Sequence, residues 1–373
     1  MNSALLRLAA ALFIWGLGEG TFFFFQPLYL EELGADPFQI GKILGGVGIA
    51  MTIVHIPAGY LADKIGRRPL LRLSWTIGLL SSIMMASAST LPFFVIALIF
   101  YSLTTFVISP LNSYVTAARG KWTVERAITL ISATFSLGMV SGPMIGGWLG
   151  DHFGLRSLYI AAVVVFTIST ILVYSLPSQP LHHSAKEFSP KSLLQNKRYL
   201  SFLILIFFVV FALYLPQPLT QNFLQGERGL SLSQIGILGS LSGIGNVVLN
   251  LLLGQLGARV GFLIAQLATA LFAFLIWRGS GMGIYSLAYF LLGGYRAARS
   301  LAAAHVNSLI DDAQMGLAYG ITETASAFPM ILAPPLAGYL YTSDPASPYP
   351  FSLLLIFSGV ILTLFFFPRS ANE

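Results

Sequence analysis

The sequence predicts an all-α integral membrane protein: twelve transmembrane helices in two pseudo-symmetric six-helix bundles. Three observations lead there. Apolar types fill 56% of the 373 residues and charged types only 9%, whereas roughly a quarter of a soluble domain is charged. Apolar runs of about the twenty residues that one bilayer crossing requires follow one another along almost the whole chain. Short motifs in the first half also return in the second at a nearly constant offset. The mean hydropathy of +0.79 excludes an ordinary cytosolic enzyme and a disordered chain alike. The net charge is +6, but the bases are scattered among apolar runs, which argues against nucleic acid. Cysteine is absent, so there is no disulfide framework and no thiolate nucleophile or metal ligand.

The first run, 5–30, is too long for a cleaved leader and lacks a small-x-small exit site, so it is read as span 1. Eleven more follow, near 39–62, 70–88, 91–117, 127–149, 157–177, 199–223, 233–254, 262–277, 283–308, 316–340 and 350–368. They are continuous rather than alternating, which argues against barrel strands. Positive charges set the orientation. With the N-terminus inside, the cytoplasmic side collects Arg7, Lys64, Arg67, Arg68, Arg72, Arg119, Lys121, Arg126, Lys186, Lys191, Lys197, Arg198, Arg259 and Arg369, and the other side only Arg156, Arg228 and Arg278. Both termini are therefore expected in the cytoplasm, with the protein a multi-pass resident of a prokaryotic inner membrane.

Gln26-Pro27-Leu28 returns as Gln217-Pro218-Leu219, 191 residues later, and Gln39-Ile40-Gly41 as Gln234-Ile235-Gly236, 195 later. Gly59 and Gly66 return as Gly254 and Gly261, and Pro143 and Gly147 as Pro334 and Gly338. The domains predicted are a bundle over 1–177, a cytoplasmic linker over 178–198 and a second bundle over 199–373. Parallel repeats of this kind build transporters, with the substrate site near mid-membrane.

The segment from Gly59 through Asp63 and Gly66 to Arg67 and Arg68 resembles the signature between spans 2 and 3 of the major facilitator superfamily. In span 5, Gly138, Gly142, Pro143, Gly146 and Gly147 resemble that superfamily's antiporter motif, found mostly in its drug/proton branch. The resemblance covers the whole chain. It implies a cytoplasmic gate in which Asp63 faces the positive end of span 11. It also implies cavity-lining spans 1, 4, 7 and 10 and lipid-facing spans 3, 6, 9 and 12. Asp63 and Arg67 are four apart and can pair on one helical turn. Ala258 replaces Asp63 in the second copy, so the gate is expected on one side only. The glycines of span 5 form a smooth stripe for a partner helix, and Pro143 removes one backbone hydrogen bond.

Ionisable groups deep in spans are costly and mark function or pairing. Glu19 lies about 17 Å into span 1, flanked by glycines and followed by Phe22 to Phe25. It is the candidate for proton coupling or for a cationic substrate, and the rings, Phe23 among them, supply cation–π surface. Arg296, at similar depth in span 10, is the candidate contact to an anion or a switchable partner for Glu19. Glu323 in span 11 either binds or neutralises an arginine, and Arg299 is expected to snorkel. Gln26, His55, Asn112, Gln217, Asn246 and Tyr295 are candidate cavity-lining polar groups.

No phosphate loop of the G-x-x-x-x-G-K-[ST] type and no H-E-x-x-H occurs. His182-His183 reads as a solvated pair in the linker. No cofactor, metal or catalytic residue is expected. The function expected is secondary transport by alternating access: proton-coupled efflux of a lipophilic or cationic small molecule by a monomer. Uptake or exchange of an anionic metabolite or sugar through Arg296 is the alternative. A non-transporting receptor or a membrane-embedded enzyme stands as the reading from another class.

Overall fold

A computed structural model describes residues 3–178, 196–306, 309–310 and 315–368; the side chains of 54–65, 109, 125, 315–317 and 319–320 lie outside the description. Among the described residues the chain is helical, without strands. The helices are α1 (Ser3–Phe23), α2 (Gln26–Glu32), α3 (Pro37–Ile65), α4 (Arg67–Ser87), α5 (Leu91–Ser102), α6 (Ile108–Ala118), α7 (Val124–Phe153) and α8 (Arg156–Tyr174). They continue as α9 (Lys197–Tyr214), α10 (Thr220–Gly226), α11 (Leu232–Leu253), α12 (Ala258–Arg278), α13 (Met282–Val306), α14 (Met315–Ala327), α15 (Pro329–Ser343) and α16 (Pro348–Phe366). Nine segments among the described residues are long and apolar enough to cross a membrane. Each of the twelve predicted runs is helical, which gives a multi-pass all-α membrane protein.

Four runs read as continuous are broken. Span 1 stops at Phe23 and restarts at Gln26, where Pro27 stands in the first turn of α2. Its repeat copy stops at Tyr214 and restarts at Thr220, across Pro216 and Pro218. Span 4 passes through a 3₁₀ turn over Leu103–Val107, and span 11 breaks before Pro329. Proline has no N–H to give and crowds the carbonyl one turn back, so each of the proline breaks falls where the ladder loses a rung. By contrast α7 runs unbroken through Pro143, and α15 through Pro334 and Pro335.

The chain forms two compact units. The first holds Met1–Ala35, Gly46–Ser184 and Gly229–Ser240; the second holds Asp36–Gly45, Ala185–Arg228 and Leu241–Glu373. Each unit thus includes the opening turns of a helix whose remainder belongs to the other. The core of the first is aromatic. Trp15 stacks on Phe166 with centroids 4.0 Å apart, and Tyr101, Phe22 and Tyr159 close round them. Trp75 Nε1 donates to Ser169 Oγ (2.8 Å), which donates to the Ala11 carbonyl (2.7 Å), tying α4, α8 and α1.

Several arginines that mark orientation in the sequence also cap helix ends. Arg7 and Arg72 donate to the Ser175 and Tyr174 carbonyls at the end of α8. Arg156 donates to Ala86 at the end of α4 (2.7 Å), Arg228 to Trp277 at the end of α12 (2.7 Å), and Arg259 to Leu364 at the end of α16. A helix end leaves unpaired carbonyls and partial negative charge, and a guanidinium answers both.

Candidate functional site

In the first unit, α1 carries Glu19 half-buried, one turn beyond Trp15 on the same face. The Glu19 carboxylate lies close enough to act electrostatically on the hydroxyl of Tyr101, which is 3% exposed on α5 and makes no hydrogen bond. The rings of Trp15, Tyr101 and Phe166 lie nearly parallel, with interplanar angles of 9° or less. The result is a carboxylate beside a buried stack of aromatic rings. Glycines permit it: Gly16, Gly18 and Gly20 leave no room for a Cβ against α7 and α8, so α1 sits close to both.

Phe23, half-buried, ends α1. Gln26 opens α2, is 2% exposed, and its Nε2 has no hydrogen-bond partner. Asn112 is exposed on α6. His55, Gly59 and Asp63 belong to the stretch whose side chains lie outside the described residues. Gly66 adopts φ 87°, a left-handed conformation that suits glycine, at the start of α4, with Arg67 and Arg68 half-buried after it.

The span-5 glycines divide between two neighbours. A Cβ at Gly138 would meet the Phe13 carbonyl oxygen. One at Gly142 would come within 2.5 Å of Gly20, and one at Gly146 would meet the Thr21 carbonyl oxygen. That stripe fits α7 onto α1. Gly147 and Pro143 turn the other way, against Leu232 and Gly236 of α11.

In the second unit, α13 carries Tyr295, Arg296 and Arg299. Arg299 Nη2 donates to Glu323 Oε2 of α14 at 3.2 Å. Arg299 is therefore paired with Glu323, at a position where its side chain keeps 26% exposure. Tyr295, 6% exposed, stacks on Tyr214 of α9 at 5.6 Å, and both arginines act on the Tyr214 hydroxyl. Arg296 itself is exposed. Gln217 is half-buried, with Nε2 donating to Leu213 O at 2.8 Å. Asn246 accepts from Asn250 at 2.6 Å, where Gly245 of α11 packs on α13 at Phe290 and Gly293 on Asn246.

Sequence reasoning missed Tyr101, Tyr214 and the pairing of Arg299. A tyrosine in a run such as Leu91–Ser102 looks like bilayer filling; its one signal is a hydroxyl in an otherwise apolar stretch. Among the described residues no cluster of His, Asp or Glu is fit to hold a metal.

Comparison with known proteins agrees with this architecture. The family model described as Major Facilitator Superfamily matches residues 8–220 and 202–373. A relative named "Multidrug resistance protein 2" from Bacillus subtilis (strain 168) is 22% identical over 375 residues, covering 96% of this chain and 93% of its own. An uncharacterized MFS-type transporter of Methanocaldococcus jannaschii is 28% identical over 159 residues, covering 42% of this chain and 41% of its own. Among solved structures, the nucleoside transporter NupG superposes with a TM-score of 0.82 at 18% identity, over 98% of both chains. A bacterial homolog of the human lysosomal transporter Spinster, inward-facing and unoccupied, gives 0.73 at 15% identity over 97% of this chain and 94% of its own.

Proposed function

The chain belongs to the Major Facilitator Superfamily, and from that premise we propose that it exports a lipophilic cation in exchange for protons by alternating access. The observation that carries the reading is the half-buried Glu19 carboxylate beside Tyr101 and the Trp15–Phe166 stack. An ionised carboxylate in such surroundings is costly unless a cation or a proton answers it. One site then holds either the proton or the substrate but not both, which is the requirement of exchange. The second unit contributes a charged set, Arg296 with the Arg299–Glu323 pair, where partners can be traded during the cycle. A relative named for multidrug resistance supports efflux. The protein acts as a monomer in a prokaryotic inner membrane, with both termini cytoplasmic.

Flux of tetraphenylphosphonium in proteoliposomes tests this, with and without an imposed pH gradient. Uphill movement driven by the gradient and lost in Glu19→Gln supports it. Uphill transport by Glu19→Gln equal to the unmutated protein would sink it.

A second reading has its own observation: Arg296 is exposed on α13 beside Tyr295, as an anion-binding guanidinium would be. Transport of a phosphorylated or carboxylated metabolite that fails in Arg296→Gln, with no movement of the cation, favours it over export.

A further inference from the structure

Within the first unit, α7 ends where α11 begins. Asp151 accepts two backbone hydrogen bonds there: Leu232 N donates to Oδ1 at 2.9 Å and Ser233 N to Oδ2 at 2.8 Å. Beneath this clasp the helices meet backbone to backbone. A Cβ at Gly147 would come within 2.9 Å of Ser233 Cα, one at Gly150 within 2.7 Å of Leu232 Cδ1, and one at Gly236 would meet the Pro143 carbonyl oxygen. The amides just outside are satisfied locally: Ser231 N donates to Gln234 Oε1 at 3.0 Å and Gln234 N to Ser231 Oγ at 3.3 Å. Asp151 thus takes the two first-turn donors that this cap leaves.

The repeat builds the same junction in the second unit, from α3 and α15, without the clasp. A Cβ at Gly41 would come within 2.9 Å of the Pro334 carbonyl carbon, one at Gly45 within 2.6 Å of Ile331 O, and one at Gly338 within 3.0 Å of Phe38 Cα. The local cap returns too, as Asp36 N to Gln39 Oε1 (3.2 Å) and Gln39 N to Asp36 Oδ1 (2.8 Å). At the offset of 195, however, Leu232 corresponds to Pro37, which has no N–H. At the offset of 191, Asp151 corresponds to Thr342, whose hydroxyl donates to Tyr339 O at 2.7 Å.

We propose that Asp151 is a charge latch on the α7–α11 junction, so that one of the two repeat-equivalent junctions carries a charge-assisted clasp that the other, with Pro37 in the place of Leu232, lacks. A carboxylate on two amide donors at a positive helix end is a charge-assisted contact. Asp151 is exposed to solvent, which keeps the contact weak enough to release during a cycle. The adjacent His152 does not compete, since its Nδ1 lies 2.9 Å from Trp148 O. The proposal is independent of which substrate moves.

The absence of cysteine allows a single reporter, Ser240→Cys, at a position 9% exposed just past Gly239, which packs on Pro143 and Phe24. Its labelling by a membrane-impermeant maleimide, applied to the face bearing Asp151, measures how often the junction parts. Asp151→Asn and Asp151→Ala should raise the labelling rate about two- to fivefold, the size of one exposed charge interaction at a helix end. Asp36→Asn, at the junction without a clasp, should leave it unchanged. Equal rates with and without the Asp151 carboxylate overturn the proposal, and so does an equal rise in Asp36→Asn. Hydrogen exchange on the unmutated chain is a second reading that needs no variant to fold. Leu232 and Ser233 amides should exchange slowly although they open a helix, and exchange at the rate of free first-turn amides overturns the latch.

Discussion

Arg299 and Glu323 form an ion pair of 3.2 Å that joins α13 to α14, yet the arginine side chain is 26% exposed and the glutamate 61%. Water reaches the pair, and its electrostatic worth is screened accordingly. A partner so accessible can be exchanged for another ion at small cost.

A double-mutant cycle over Arg299→Gln and Glu323→Gln should therefore give a coupling of about 0–1 kcal/mol in thermal unfolding. Transport should fall more in Glu323→Gln than stability does, because Arg299 is left charged. A coupling above about 3 kcal/mol, the range of a broken buried pair, would instead make the pair a structural staple.

Tyr101 and Glu19 should behave as one unit. Tyr101→Phe removes the hydroxyl that the carboxylate faces and keeps the ring stacked on Phe166. Its loss in proton-driven transport should not add to that of Glu19→Gln, so the double variant transports like Glu19→Gln alone. Fully additive losses in a flux assay would separate the two residues.

Glycine positions should differ sharply in tolerance. Gly142→Leu places a branched side chain where even a Cβ lies 2.5 Å from Gly20, so α7 must leave α1, and flux should fall to background with insertion intact. Gly142→Ala should cost about 1–3 kcal/mol from overpacking. Gly46 has nothing within 4 Å of an added Cβ, and Gly46→Ala should be neutral or stabilising by up to about 1 kcal/mol. Thermal shift on purified variants orders the three.

Arg156→Gln and Arg228→Gln should each cost about 0.5–1.5 kcal/mol, the net worth of one hydrogen bond, by uncapping α4 and α12. Lysine at either position should recover only part, since its point charge lacks the planar fork. Unfolding temperatures unaffected by either change would reduce both arginines to loop charges.

The span pattern was legible because hydrocarbon length and apolar run length are the same measurement, and the repeat because Gln26-Pro27-Leu28 and Gln217-Pro218-Leu219 share a backbone task. The interruptions at Phe24–Phe25 and before Pro329 were less legible: a proline inside an apolar run can break a helix or ride in it, as Pro143 does. The candidate charges stood out in their apolar surroundings, but their partners did not. Glu323 meets Arg299, but residues three apart share a helix face, so spacing alone did not choose between Arg296 and Arg299. The partners of Asp151 were not legible, since nothing in its neighbourhood announces amides more than eighty positions later.

The exchange of opening turns between the units bears on how the protein is made. Gly147 and Pro143 leave the ribosome well before Leu232 and Gly236, their partners in the first unit. A nascent chain that has threaded its first six spans therefore presents a bare glycine face and an uncommitted Asp151. The first unit matures only when translation has passed Ser240. A chain severed in the linker yields an N-terminal fragment that still lacks one piece of its own body, and the gap is cut to the shape of the opening turns of α11, which only the other fragment carries.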